Sequence, residues 1–191
     1  MDKLVAILGS VTPPGRMLNA LKWTLDPRST GADFEADLIN LAECRVAFAD
    51  GRPPEKYDDD TGSIVARVVE ADAVILASPV YRGSFTGALK NLLDHLPIEA
   101  LAGKPVGIVA MGATNHHYLG VDWHLRDVLA WFGAIVVPTS VYLSSSDFVD
   151  GNLSEGAKQD LSSLVQALHK LKQISAPGEY LGPRPLASRR S

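Results

Sequence analysis

Short unbroken apolar runs alternate along the chain with longer segments that are apolar on one helical face only, and this alternation limits the folds open to it. Leu4 to Leu8 is a continuous β-rich run, as a strand covered on both faces requires. Gly9 to Gly15 breaks the run. A helix is expected from about Arg16, because Leu18, Leu21 and Leu25 fall at i, i+3 and i+7 before Asp26-Pro27 closes the segment. The pattern then recurs. Further strands are expected at Phe34 to Leu41, at Ala73 to Ala77 before Ser78-Pro79, at Val106 to Met111 before Gly112, and at Ala134 to Thr139. Helices are expected at Ser84 to Leu96, His117 to Phe132 and Ser154 to Ile174. Residues 42–62 carry Asp50-Gly51-Arg52-Pro53-Pro54 and Asp58-Asp59-Asp60, which read as an exposed loop ahead of a helix capped by Thr61 or Ser63. Tyr142 to Asn152, rich in Ser and Asp, reads as a surface loop.

Strand and helix alternating in this way predict an α/β domain, a doubly wound parallel sheet with helices on both faces. Five strands suit the flavodoxin-like order 2-1-3-4-5, in which a ligand lies beyond the carboxyl ends of the strands. Residues 1–174 make one such domain. Residues 175–191, with three prolines and two glycines and few apolar anchors, are expected to be a mobile tail. At 191 residues with 46% hydrophobic side chains the chain can bury a sizeable core. A net charge of −4 gives no broad basic field, so nucleic acid is not an expected partner. The single cysteine, Cys44, excludes a disulfide framework, a CxxC pair and a multi-cysteine zinc site. Redox chemistry therefore needs a cofactor. The apolar run at the N-terminus is too short for a signal peptide or membrane span, so a cytoplasmic protein with no membrane partner is expected.

Three loops follow strand ends at the predicted ligand edge. The first, Gly9-Ser10-Val11-Thr12-Pro13-Pro14-Gly15-Arg16, joins a buried strand to a helix start, where unpaired N–H groups and the helix dipole favour an anion. It is not a triphosphate P-loop, because five residues separate Gly9 from Gly15 and Arg16-Met17 stands where Lys-Ser/Thr is needed. No GxGxxG occurs anywhere. Ser10 and Thr12 hydroxyls with the Arg16 guanidinium suit a phosphate monoester, the plain alternative being an ordinary Gly/Pro-rich connection. The second loop, Ser78-Pro79-Val80-Tyr81-Arg82-Gly83-Ser84, offers an extended proline, a small glycine and the aromatic surface of Tyr81 to a flat heterocycle. Alternatively it is a turn in which Ser84 caps a helix and Tyr81 only packs. The third, Gly112-Ala113-Thr114-Asn115-His116-His117, has a low wall, with Thr114 and Asn115 able to donate to a ring edge. His117 and His124, seven apart, can share a helical face, yet no Cys, Asp or Glu completes a metal-ligand spacing and no metal is expected. One phosphate loop and two ring loops at one edge describe a mononucleotide such as FMN.

The segment Ser78-Pro79-Val80-Tyr81-Arg82-Gly83-Ser84-Phe85-Thr86-Gly87-Ala88-Leu89-Lys90-Asn91-Leu92-Leu93-Asp94, continuing through Leu96-Pro97, Ala100-Leu101 and Gly103-Lys104, resembles the NAD(P)H-dependent FMN reductase family of flavodoxin-like proteins. Within it the chain looks most like the flavin reductases that supply sulfonate monooxygenases, over residues 3–140. The resemblance implies a phosphate held by Ser10, Arg16 and the amides of Met17 and Leu18. It implies a flavin and ribityl chain lined by Pro79, Val80, Tyr81 and Arg82 with Ser84 nearby, and a pyrimidine edge met by Gly112, Ala113 and Thr114. Two departures stand out. Gly15 and Met17 flank Arg16 where the family has serines, and Ala113 replaces a second glycine, so fewer hydroxyls reach the phosphate and FMN is expected to come and go as a substrate. The resemblance further implies NADPH or NADH as the reductant, a homodimer or homotetramer, and a flavin-dependent monooxygenase as a partner. Tyr118, Trp123 and Trp131 load one helix with aromatic surface, for the core or for a subunit or flavin contact.

Hydride transfer between nicotinamide and flavin requires stacking and a dry face, with no obligatory protein acid or base, so no catalytic residue is assigned. Arg82 is a candidate for a nicotinamide-nucleotide phosphate or the flavin rim. The rival activities are a quinone, chromate or azo reductase with bound FMN, a flavodoxin-type electron carrier without NAD(P)H activity, and a regulatory module that has lost the flavin.

Overall fold

One sheet sorts its side chains by period two into two separate cores. The computed structural model describes residues 1–12, 15–31, 33–175 and 179–189. In chain order the elements are β1 (Asp2–Leu8), α1 (Arg16–Leu25), the single turn α2 (Pro27–Thr30), β2 (Phe34–Asn40), α3 (Thr61–Glu70), β3 (Ala73–Pro79) and α4 (Gly87–His95). They continue as β4 (Pro105–Met111), α5 (Gly120–Phe132), β5 (Ile135–Val136), β6 (Val141–Leu143), β7 (Phe148–Val149), β8 (Asn152–Leu153) and α6 (Glu155–Ile174). The main sheet runs β2-β1-β3-β4-β5 with every pairing parallel, and β6 also pairs with β4.

Along β1, Val5 and Ile7 join Val74 and Leu76 of β3 in a core shared with α3, α4 and α5, among them Ile64, Val68, Leu92 and Leu125. Leu4, Ala6 and Leu8 join Ile75 and Ala77 in a second core under α1 and α6, with Leu21, Leu161, Leu164 and Leu168. Burial on both faces is why these strands read as unbroken apolar runs. The described tail brings Tyr180 and Pro185 against Gly133, at the end of α5.

Several boundaries differ from expectation, each for a local reason. The fifth strand is two pieces. Pro138 has no N–H for the ladder, and Arg126 of α5 donates to the carbonyls of Val137 (3.0 Å) and Pro138 (2.9 Å), drawing them off the sheet while Asp122 holds the guanidinium at 2.8 Å. Helix α4 starts at Gly87, not Ser84, because Thr86 is the N-cap, its hydroxyl accepting from the Leu89 N–H at 3.1 Å. Helix α5 starts at Gly120, and His117 lies in a separate 3-10 turn, Asn115–His117, so His117 and His124 do not share a helical face. Neither Thr61 nor Ser63 caps α3: Asp60 is the N-cap, the Thr61 N–H donates to Asp59 at 2.9 Å, and Ser63 donates back to the Asp60 carbonyl. The expected loop at 142–152 contains the end of β6 and the hairpin β7–β8. Asp150 (φ 49°) and Gly151 (φ 81°) turn that hairpin, both left-handed as a type I′ turn demands, so the Asp-Gly pair was its signal.

Lys104 is 1% exposed, and its ammonium donates to the carbonyls of Val68 (2.7 Å) and Val69 (3.0 Å) at the C-terminal end of α3. Burial pulls its pKa from 10.5 down to about 8, against a smaller opposing pull from Asp72. Between these values the unfolded chain binds more protons, so stability attributable to Lys104 rises as pH climbs from about 8 to 10.5. Urea denaturation of wild type and Lys104→Met across that range should show the difference widening in favour of wild type. A flat difference would contradict this reading.

Candidate functional site

The C-terminal ends of β1, β3 and β4 meet at one rim. A cavity of about 130 Å³ there is lined by Ser10 and Thr12 of the first loop, by Arg16, Met17 and Leu18 at the start of α1, by Pro79 at the end of β3 and by Met111 at the end of β4. The site therefore joins the predicted phosphate residues to the start of the predicted ring loop.

Gly9 fixes the first loop to the second. Its N–H donates to the Ala77 carbonyl at 2.7 Å, and its carbonyl accepts from the buried Thr86 hydroxyl. A Cβ at this position would stand 2.7 Å from Leu89 Cβ, so α4 packs where only glycine fits. Beyond Gly9, the Ser10 and Thr12 hydroxyls are 2.6 Å apart, and the Thr12 N–H donates to Ser10 at 3.3 Å. Pro13 and Pro14 of this loop lie outside the described residues. Gly15, the N-cap of α1, has no side chain to cap with, and no acid occupies the first turn. The first intrahelical bond runs from the Asn19 N–H to the Gly15 carbonyl at 3.2 Å, so the N–H groups of Arg16, Met17 and Leu18 have no partner among the described residues. Uncapped amides, two hydroxyls and a guanidinium form a donor set that matches a dianionic phosphate. The Arg16 guanidinium also lies 5.3 Å from the ring centre of Phe148 on β7, a contact no spacing in the sequence announced.

The second loop is a tight hairpin rather than a helix cap. Tyr81 and Ser84 exchange backbone hydrogen bonds of 2.8 and 3.0 Å around Arg82 (φ 51°) and Gly83 (φ 78°), another type I′ turn. Arg82 accepts a left-handed backbone that most side chains avoid, and its exposed guanidinium makes no hydrogen bond among the described residues. Tyr81 is 46% exposed at the rim, so it does not simply pack. Ser84 bonds to His124 Nδ1 at 2.8 Å, which ties this hairpin to α5. Val80 donates from its N–H to the Met111 carbonyl at 2.8 Å.

The third loop lies beside the second. A Cβ at Gly112 would be 3.5 Å from Val80 and would collide with the hydroxyl of Tyr142. Tyr142 donates to the Thr114 carbonyl at 2.6 Å, and burial holds its phenol above the usual range, so it remains a neutral donor. Ala113 and Thr114 are exposed next to this anchor. Among the described residues no group of three or more His, Cys, Asp or Glu is placed to hold a metal ion. Tyr118, Trp123 and Trp131 are 54–63% exposed and do not pack in the core of this chain. Thr86, Tyr142 and Met111 were missed by sequence reasoning; of these only Thr86, a capping residue type just ahead of a helical run, carried a local signal.

A five-position parallel sheet in this order, with an anion cradle after its first strand and ring-sized loops after its third and fourth, defines a flavodoxin-like mononucleotide-binding domain. The chain belongs to the NADPH-dependent FMN reductase family, whose model matches residues 3–148. It is similar to an NAD(P)H-dependent FAD/FMN reductase of Geobacillus thermodenitrificans, 33% identical over 150 residues that cover 78% of this chain and 81% of the relative. An FMN-dependent NADPH-azoreductase of Staphylococcus saprophyticus is 32% identical over 152 residues, 76% of this chain and 79% of that one. The crystal structure of an apo NADH:FMN oxidoreductase, EMOB, superposes with a TM-score of 0.77 at 25% identity, covering 100% of both chains.

The Thr86 hydroxyl is the tie between the first loop and α4. Thr86→Val keeps its shape but leaves the Gly9 carbonyl and the Leu89 N–H unpaired, and should cost about 2 kcal/mol in urea denaturation. No measurable loss would remove Thr86 from this role.

Proposed function

We propose that the chain is an NAD(P)H-dependent FMN reductase that takes a hydride from NADPH or NADH. The observation that carries this reading is the convergence of the uncapped start of α1, Ser10 and the ends of β3 and β4 on one rim. Ser10, the Arg16 guanidinium and the amides of Met17 and Leu18 hold the phosphate of FMN. Pro79, Val80, Tyr81 and Arg82, with Ser84, line its ring and ribityl chain, and Gly112, Ala113 and Thr114 meet the pyrimidine edge. When bound, FMN supplies the hydride-accepting ring, and the protein's part is position and exclusion of water. The Gly9 and Thr86 contacts hold phosphate loop and ring loop in register, and the Tyr142 anchor fixes the edge loop. Fewer hydroxyls around Arg16 support an FMN that is reduced and released, for delivery to a flavin-dependent monooxygenase. Exposed Tyr118, Trp123 and Trp131 support a homodimer or homotetramer, and a cytoplasmic enzyme is the matching location.

An FMN-dependent azo reductase is the second reading, supported by the azoreductase relative. Anaerobic oxidation of NADPH and NADH in the presence of FMN separates the two. Release of reduced free flavin at a rate equal to or above that of azo-dye reduction supports the flavin reductase; dye reduction with FMN retained supports the second reading. No nicotinamide oxidation with either acceptor overturns both. Arg16→Ala should weaken FMN binding by about 1–3 kcal/mol, the range of a charge-assisted hydrogen bond, in a flavin fluorescence titration. Unchanged affinity would take Arg16 out of the phosphate site.

A further inference from the structure

Arg16 is held differently from Arg28, Arg52, Arg67 and Arg126. Each of those four pairs with an aspartate, Asp26, Asp50, Asp37 and Asp122 in turn. Among the described residues Arg16 has no acidic partner, and no acid stands in the first turn of α1. What meets its guanidinium is the ring of Phe148, whose centre is 5.3 Å away. The difference matters for a binding site. A carboxylate partner takes up N–H donors and cancels the field of the cation, whereas an aromatic face attracts a guanidinium through the ring quadrupole and leaves its N–H donors free. An arginine held on a ring is therefore ready for an anion.

Both ends of this contact are set by backbone. A helical side chain leans toward the N-terminus of its helix, which carries Arg16 back over the first loop, and there it lines the same cavity as Ser10 and Thr12. Phe148 is fixed by its own segment. Its N–H donates to the Ser145 carbonyl, and it pairs with Leu153 across β7–β8. The residue before it, Asp147, accepts at its carboxylate from the Ser144 N–H at 2.7 Å and the Ser144 hydroxyl at 2.9 Å, and at its carbonyl from the Ser154 N–H at 2.8 Å. The half-buried Phe148 side chain packs on the second core, under α1 and α6. Its ring is thus a rest for Arg16 and not a seat for a ligand.

We infer that Phe148 is a positioning residue of the phosphate site: its ring holds the Arg16 guanidinium at the cavity with the N–H donors free, so that a phosphate monoester meets a cation already in place. An arginine left to swing in solvent would lose rotamer freedom when the anion arrives, and the ring removes part of that cost beforehand. The inference rests on the reading that Ser10, Arg16 and the amides of Met17 and Leu18 hold the phosphate of FMN. It makes affinity for the phosphate, and not for the flavin ring, depend on an aromatic side chain far along the chain.

Protein titrated into a trace of FMN, and separately of riboflavin, which lacks only the phosphate, tests it by flavin fluorescence. The ratio of the two Kd values reports on the phosphate site alone. Phe148→Leu and Phe148→Met, apolar side chains without a ring, should each lower the preference for FMN about fivefold while the Kd for riboflavin stays within about twofold. Phe148→Tyr, which keeps the ring, should stay within about twofold of the wild-type ratio. In an Arg16→Ala background Phe148→Leu should change the ratio no further. Using two apolar variants keeps the measurement decisive if one of them fails to fold. Equal weakening of both flavins would leave Phe148 a packing residue only and overturn the inference, as would an unchanged ratio without the ring or a Tyr variant that behaves like Leu. A ratio lowered by Arg16→Ala but by neither apolar variant defeats this inference alone, whereas a ratio that Arg16→Ala does not move defeats the phosphate reading first.

Discussion

The backbone of Gly9 is the joint that ties the first loop to the sheet and to α4. It is the point where β1 leaves the sheet, and three neighbours claim it at once: the Ala77 carbonyl takes its N–H, the Thr86 hydroxyl donates to its carbonyl, and the flank of Leu89 occupies the space of a Cβ. Strand β3 and helix α4 are thereby set against the first loop at contact distance. Because Thr86 also receives Leu89 and donates its own N–H to Ser78 at 3.0 Å, one residue couples the helix cap, the end of β3 and the anion loop. Neighbouring α1 begins without a cap, and its unpaired amides meet the Ser10 hydroxyl and the β3 and β4 ends on the same side. A fixed joint next to an unsatisfied helix end is a good basis for a site, since the fold itself holds the helix-end donors in place.

What the sequence made legible follows from burial. Strand β1, helix α1 and the doubly wound order were readable because a sheet covered on both faces writes continuous apolar runs, and a helix on its face writes a 3.6-residue stripe. The same patterning places three loops on one edge, and the structure brings the first to the start of the second and the second beside the third. Long-range pairings could not be read. Nothing near Pro138 announces that Arg126, twelve residues earlier, draws its carbonyl away and divides the fifth strand. The cap at Thr86 in place of Ser84 depends on Gly9, far back in the chain, and Ser84 turns instead to His124. The Asp150-Gly151 hairpin was legible in principle, but its Ser- and Asp-rich surroundings read as a loop.

Membership in the NADPH-dependent FMN reductase family agrees with this geometry without replacing it. The family model ends at residue 148, yet the hairpin that begins there reaches back to Arg16 through the Phe148 ring. The last matched residue thus touches the anion site itself. Tyr118, Trp123 and Trp131, on and near α5, are each more than half exposed.

Crystals of the protein grown or soaked with FMN test the central claim most directly. The account predicts phosphate density within hydrogen-bonding distance of Ser10 and the Met17 and Leu18 amides, with the ring lying over Pro79 to Arg82 and its edge toward Gly112 to Thr114. FMN seated elsewhere on the molecule, or a rim left vacant at saturating flavin, would contradict it.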